Sequence, residues 1–167
     1  TMAMLVALED KVIDTMDIVD TGKGELTFFN KYKVRDSKKG GYGKISVNEV
    51  FKVSSNTGIV KIINDYYKTH PEKFVNRLYN LGINEPLGLK ILGEGQPKIP
   101  HPSDTEWNGL TLPWMAYGYG VSMTPIQTLT FYNAIANGGE MVKPRLVDAV
   151  RQLGNQPIQQ FEKEVLN

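Results

Sequence analysis

Five of the nine prolines fall between residues 84 and 116 (Pro86, Pro97, Pro100, Pro102 and Pro113), together with Gly88, Gly93, Gly95 and Gly109. Proline fixes φ and lacks an N–H, so no long helix or central strand runs through such a stretch. A segment this long without periodicity is either disordered or functional. Leu87, Leu89, Ile91, Leu92, Trp107, Leu110, Leu112 and Trp114 argue for the ordered case, a loop packed on its domain. The rest of the 167-residue chain must then build its core from short elements on either side. A content of 41% hydrophobic and 22% charged residues is enough for that.

Residues 2 to about 11 read as a short, mostly apolar helix that opens at once on Met2-Ala3-Met4-Leu5-Val6, as if already under way at Thr1. Ile18–Thr21 reads as a strand, and residues 25–36 as a hairpin with Leu26, Phe28, Tyr32 and Val34 inward. Lys38–Lys44 is a basic turn. Ser46-Val47-Asn48-Glu49 fits a capping box, with Val47, Val50, Phe51 and Val53 as the apolar face behind it. A helix over about 55–68 carries Ile59, Ile62, Ile63 and Tyr66. Another starts at Pro71, carries Phe74, Val75, Leu78 and Leu81, and stops at Gly82. Thr124-Pro125-Ile126-Gln127 combines a capping box with proline at the first helical position. Ile126, Leu129, Tyr132, Ile135 and Ala136 continue that helix to Asn137-Gly138-Gly139. Two short strands, 146–153 and 158–161, follow around a Gly154-Asn155 turn.

The chemistry is constrained by absences. There are no cysteines and only two histidines, His70 and His101, which excludes thiolate sites and disfavours a multi-histidine metal site. Neither a Gly-x-Ser-x-Gly elbow nor a phosphate-binding glycine loop occurs. Nineteen Lys and Arg against eighteen Asp and Glu give +1, which argues against a nucleic-acid partner. What remains is Ser54-Ser55-Asn56 between two expected helices. A hydroxyl and an amide two positions apart on a tight turn can pass a proton and hold a substrate amide. The bland alternative is that Ser54 or Ser55 simply caps the following helix.

Several segments, in order, carry a family likeness. Glu49-Val50-Phe51-Lys52-Val53-Ser54-Ser55-Asn56-Thr57-Gly58 resembles the second active-site motif of class B penicillin-binding proteins and its surroundings. Leu81-Gly82-Ile83, Gly88-Leu89 and Gly93-Glu94 resemble the segment that follows. Tyr117-Gly118-Tyr119-Gly120, Thr124-Pro125-Ile126-Gln127 and Ala134-Ile135-Ala136-Asn137-Gly138-Gly139, with Pro144, resemble a later block. Val6-Ala7-Leu8-Glu9 and Val19-Asp20-Thr21-Gly22 resemble the early part. The likeness covers about residues 1–150 and is nearer the division-type branch.

The resemblance implies an α+β, mainly helical fold: the helical subdomain of the penicillin-binding protein and serine β-lactamase-like transpeptidase fold. Residues 1–167 would be part of that domain, with the Pro-rich loop at 84–116 and the start of the sheet portion at 146–167. It implies a D,D-transpeptidase that cross-links peptidoglycan stem peptides through a serine acyl-enzyme and binds β-lactam antibiotics. Ser54 and Asn56 would be catalytic, Asn56 and Tyr119 substrate-binding, and no cofactor or metal is required. Its partners would be cell-division or cell-wall synthesis proteins, and its parent an anchored enzyme outside the inner membrane. The family's other two motifs, Ser-x-x-Lys and Lys-[Ser/Thr]-Gly, do not occur here. They are expected before Thr1 and after Asn167, and the chain alone is expected to be inactive. A non-catalytic β-lactam sensor or binding module of the same fold, or an unrelated helical adaptor, are the competing expectations.

Overall fold

Short elements with explicit start and stop signals build this chain. The computed structural model describes residues 1–153 and 157–166 and divides into two units, Thr1–Asn80 with Ile99–Val121, and Leu81–Lys98 with Ser122–Asn167.

The first unit contains α1 (Met2–Glu9), β1 (Ile18–Asp20), β2 (Glu25–Phe28), β3 (Tyr32–Arg35), β4 (Lys44–Ser46), α2 (Val47–Lys52), α3 (Asn56–Tyr67), α4 (Pro71–Asn80) and α5 (Thr111–Ala116). β1 pairs antiparallel with β4, and β2 with β3 in the register Glu25↔Arg35, Leu26↔Val34. α3 is the hub: α1, α2, α4 and α5 all pack on it. It contributes Val60, Ile62, Ile63 and Tyr67, which meet Ala3, Met4, Val6 and Ala7 of α1, Phe74, Val75 and Leu78 of α4, and Leu112, Met115 and Ala116 of α5 in the core. Each fully buried aliphatic or aromatic side chain of this kind stabilises by roughly 1.5–3 kcal/mol.

Most element boundaries follow the sequence signals, and several expectations need correction, among them Tyr32, expected inward, and Ile91 and Leu92, expected to pack, all three of which are exposed. The Ser46 box is half formed: Ser46 Oγ accepts from the Glu49 N–H at 3.1 Å, whereas the Glu49 carboxylate lies against Lys52. Phe51 and Tyr66 are each 52% exposed. On α3, Ile62 and Ile63 are buried as read, while Val60 and Tyr67 take the inward places expected of Ile59 and Tyr66. Within the Pro-rich stretch, α5 forms with Pro113 in its first turn, where a missing N–H leaves no bond unmade.

The second unit contains α6 (Pro125–Ala136), β5 (Ala149–Arg151) and β6 (Pro157–Gln160). The α6 capping box is complete: Thr124 Oγ1 accepts from Gln127 N at 3.2 Å, and Gln127 Oε1 accepts from Thr124 N at 2.8 Å. Gln127 also donates to the Glu85 carbonyl, so the Gln127, Thr130, Phe131 and Ala134 face turns inward. The expected face therefore points largely outward, with Leu129 66% exposed. β5 and β6 pair antiparallel; the Gly154-Asn155 turn expected between them lies outside the described residues. Among the described residues no helix is long and apolar enough to cross a membrane.

Where α1 ends, the Tyr67 hydroxyl donates to Asp10 at 2.8 Å, and Arg77 pairs with both Glu9 and Asp10. Burial, then the bond to Asp10, pushes the Tyr67 hydroxyl well above its ordinary pKa. The folded state thus holds this proton more tightly than the unfolded one. Its stabilisation is complete below the ordinary phenol value of about 10 and is lost as pH rises beyond it. Tyr67→Phe is expected to lose about 1 kcal/mol near neutral pH and to lose less further stability than the wild type at about pH 11, measured by urea unfolding.

Candidate active site

α2 and α3 are joined by only three residues, Val53, Ser54 and Ser55. The end of α2 closes with Ser54 N–H donating to the Phe51 carbonyl at 3.1 Å and Ser55 N–H to the Val50 carbonyl at 3.0 Å. This pattern places the residue after the cap in the left-handed region, where glycine is the usual occupant. Here that residue is Ser54, with φ +53°. α5 and α6 end in the same way with Gly118 (φ +99°) and Gly138 (φ +65°) at the equivalent place. A side chain at such a position costs roughly 1–2 kcal/mol. The Ser54 side chain is exposed, and its hydroxyl makes no hydrogen bond to any described residue.

The two serines divide the two readings of this motif. Ser55, 1% exposed, is the N-cap of α3: its Oγ accepts from Gly58 N–H at 3.0 Å. Ser54 caps nothing. Asn56 opens α3, half-buried, and its Nδ2 donates to the Arg35 carbonyl at 2.8 Å. That single bond fixes the orientation of the amide, leaving its carbonyl oxygen without a donor among the described residues.

Beneath the turn sits a carboxylate that sequence reasoning did not single out. Asp36, at the end of β3, accepts from Thr57 N–H at 2.9 Å, from Thr57 Oγ1 at 2.7 Å, and from Ser55 Oγ at 3.1 Å to each oxygen. Its own N–H donates to the Gly24 carbonyl at 2.9 Å. Gly24 (φ +74°) must be glycine, since a Cβ there would meet Gly41 Cα at 2.7 Å. The adjoining Glu25 bridges Lys33 at 2.6 Å and Arg35 at 2.7 Å, and hydrogen bonds from Lys33 and then Arg35 hold its carboxyl below the ordinary value. No spacing rule links Asp36 to residues 19 and 21 positions on.

Tyr119 lies beyond α5, 60% exposed, with its ring 4.8 Å from that of Tyr117. Tyr117 contacts Trp114 at 6.0 Å, and Trp114 meets Phe28 and Tyr32 edge-on. Burial, then Tyr119, raises the Tyr117 hydroxyl. No hydrogen bond or ring contact joins Tyr119 to Ser54 or Asn56 among the described residues. The structure therefore brings Ser54 and Asn56 together on one turn and leaves Tyr119 on a separate aromatic ladder. His70 lies against Glu72, and His101 lies against Ser103 with its ring 5.7 Å from that of Tyr79. A cavity of about 870 Å³ in the second unit, lined by Leu129, Asn133, Val142 and Leu146 among others, includes none of the candidate residues.

The chain as a whole has relatives among known proteins. The family model for the penicillin binding protein transpeptidase domain matches residues 1–167. Penicillin-binding protein PbpB of Mycobacterium tuberculosis is 33% identical over 116 residues, 70% of this chain and 16% of that protein. Peptidoglycan D,D-transpeptidase FtsI of Buchnera aphidicola is 25% identical over 138 residues, 83% of this chain and 22% of that protein. This chain thus spans about a fifth of the length of these relatives. Among solved structures, penicillin-binding protein A of M. tuberculosis in its ceftriaxone acyl-enzyme complex aligns with a TM-score of 0.82 at 17% identity, over 99% of this chain and 36% of its own, a likeness of fold.

The turn also depends on a close approach of α2 to α3. A Cβ on Gly58 would lie 2.7 and 2.8 Å from the two Val50 methyls, and Val50 is itself buried. Alanine is the better helix former by up to about 1 kcal/mol, but overpacking here costs more, so Gly58→Ala is expected to destabilise by about 1–2 kcal/mol in urea unfolding. A gain in stability would contradict the close approach.

Proposed function

The chain belongs to the penicillin-binding protein transpeptidase family, and from that premise we propose that it supplies the Ser-x-Asn element of a peptidoglycan D,D-transpeptidase. In the full-length protein a nucleophilic serine attacks the terminal D-Ala-D-Ala amide of a stem peptide. An ester forms as that C–N bond breaks, and the departing nitrogen takes up one proton. Ser54 relays that proton through its free hydroxyl. Asn56, held by the Arg35 carbonyl, orients the substrate amide with the oxygen it leaves open. An amine of a neighbouring stem peptide then takes the acyl group and completes the cross-link. β-Lactams enter the same path as substrate mimics, and Tyr119 lines the approach to the site.

The observation that carries this reading is Ser54 itself. Backbone strain retained at a residue whose hydroxyl has no structural task points to a chemical one. The family likeness to FtsI and PbpB supports a division-type enzyme acting outside the cytoplasmic membrane with cell-wall synthesis partners. This chain by itself does not form an acyl-enzyme, because none of its six serines is followed three positions on by lysine.

A fluorescent penicillin tests both statements. In the full-length protein Ser54→Ala is expected to lower the acylation rate by about 10²–10⁴-fold, and an unchanged rate would remove Ser54 from the mechanism. The 167-residue chain alone is expected to stay unlabelled; covalent label on it would contradict the second statement.

A further inference from the structure

We propose that Asp36 is a positioning residue for this reaction: its carboxylate fixes the Ser54–Asn56 turn from below, an inference that rests on the transpeptidase reading above. The geometry is specific. The Asp36 carboxylate holds Ser55 and Thr57, the two neighbours of Asn56, through both hydroxyls and one backbone N–H. Arg35, the residue before it, holds Asn56 itself through its carbonyl. Three consecutive residues, Ser55, Asn56 and Thr57, are therefore set by two consecutive residues, Arg35 and Asp36.

The hydroxyls of Ser55 and Thr57 are buried, at 1% and 0% exposure, so they need acceptors within the protein. Asp36 supplies them, and it forms no ion pair among the described residues. Its negative charge goes instead to the N-terminal end of α3, where the helix dipole favours it. Asp36 is in turn held by its bond to Gly24, and the Arg35 backbone by its pairing opposite Glu25 in the β2–β3 ladder. The chain of support runs from Glu25 and Gly24 through Arg35 and Asp36 to the turn. The Ser54 N–H is held by the Phe51 carbonyl on the α2 side, its hydroxyl makes no hydrogen bond to any described residue, and the other side of the turn is fixed by its bonded neighbour Ser55.

A merely structural acid and a positioning acid differ in kinetics. A structural one lowers the folded fraction and leaves each folded molecule with normal reactivity. A positioning one leaves non-covalent penicillin binding nearly unchanged and slows the covalent step. Stopped-flow labelling of the full-length protein with a fluorescent penicillin separates the non-covalent dissociation constant from the acylation rate constant. Asp36→Asn keeps the shape but removes one acceptor oxygen. It is expected to slow acylation by about tenfold or more, with the dissociation constant changed by less than about threefold. Thr57→Val, which removes only a hydroxyl, is expected to move the same rate constant in the same direction, and it decides the matter if Asp36→Asn does not fold. Folded variants that acylate at the wild-type rate would overturn the positioning role while leaving the transpeptidase reading intact. Failure of the wild-type full-length protein to label, or an unchanged rate in Ser54→Ala, would overturn the reading itself and this inference with it.

Discussion

A join of three residues between α2 and α3 leaves the backbone few ways to turn. The helix-ending bonds from Ser54 and Ser55 to α2 select one of them, and that one requires left-handed backbone at Ser54. The next helix can begin immediately only because Ser55 caps it and because Gly58 lets α2 and α3 approach. α3 then presents Val60, Ile63 and Tyr67 to the elements packed around it. The core of the first unit and the geometry of the candidate site thus depend on the same few residues.

Much of this was legible from local chemistry. Capping residues and glycine stops are short-range signals, so the starts of α2, α4 and α6 and the end of α6 fell where Ser46, Pro71, Thr124 and Asn137 placed them. Which face of a helix turns inward is decided at long range; the sequence placed the α4 face correctly but misled at single positions of α2 and α3 and over the whole of α6. Phe51 and Tyr66 fit the periodicity yet stay exposed, and on α6 the polar Gln127 goes inward because its amide reaches the Glu85 carbonyl. α5 was hidden because proline reads as a breaker, although in a first turn it breaks nothing.

The candidate site shows the same division. Ser54 and Asn56 were visible as a motif, but the motif could not say which serine capped and which was free. Backbone conformation answers that: the capping serine is Ser55, and the strained one is Ser54. Asp36 was invisible because its relation to the turn exists only once the β2–β3 hairpin has folded beside α3. Local rules pick out Ser54 and Asn56 as a pair, and tertiary structure supplies the frame that orients them.

On the transpeptidase reading proposed above, Ser54 is kept for chemistry at the expense of backbone comfort. It is tested most directly by making Ser54→Gly in the full-length protein and measuring its urea stability together with its rate of acylation by penicillin. Glycine relieves the left-handed strain, so stability is expected to be unchanged or to rise by up to about 1 kcal/mol, while acylation slows by about 10²-fold or more. A variant that acylates as fast as the wild type would contradict the claim, whatever its stability.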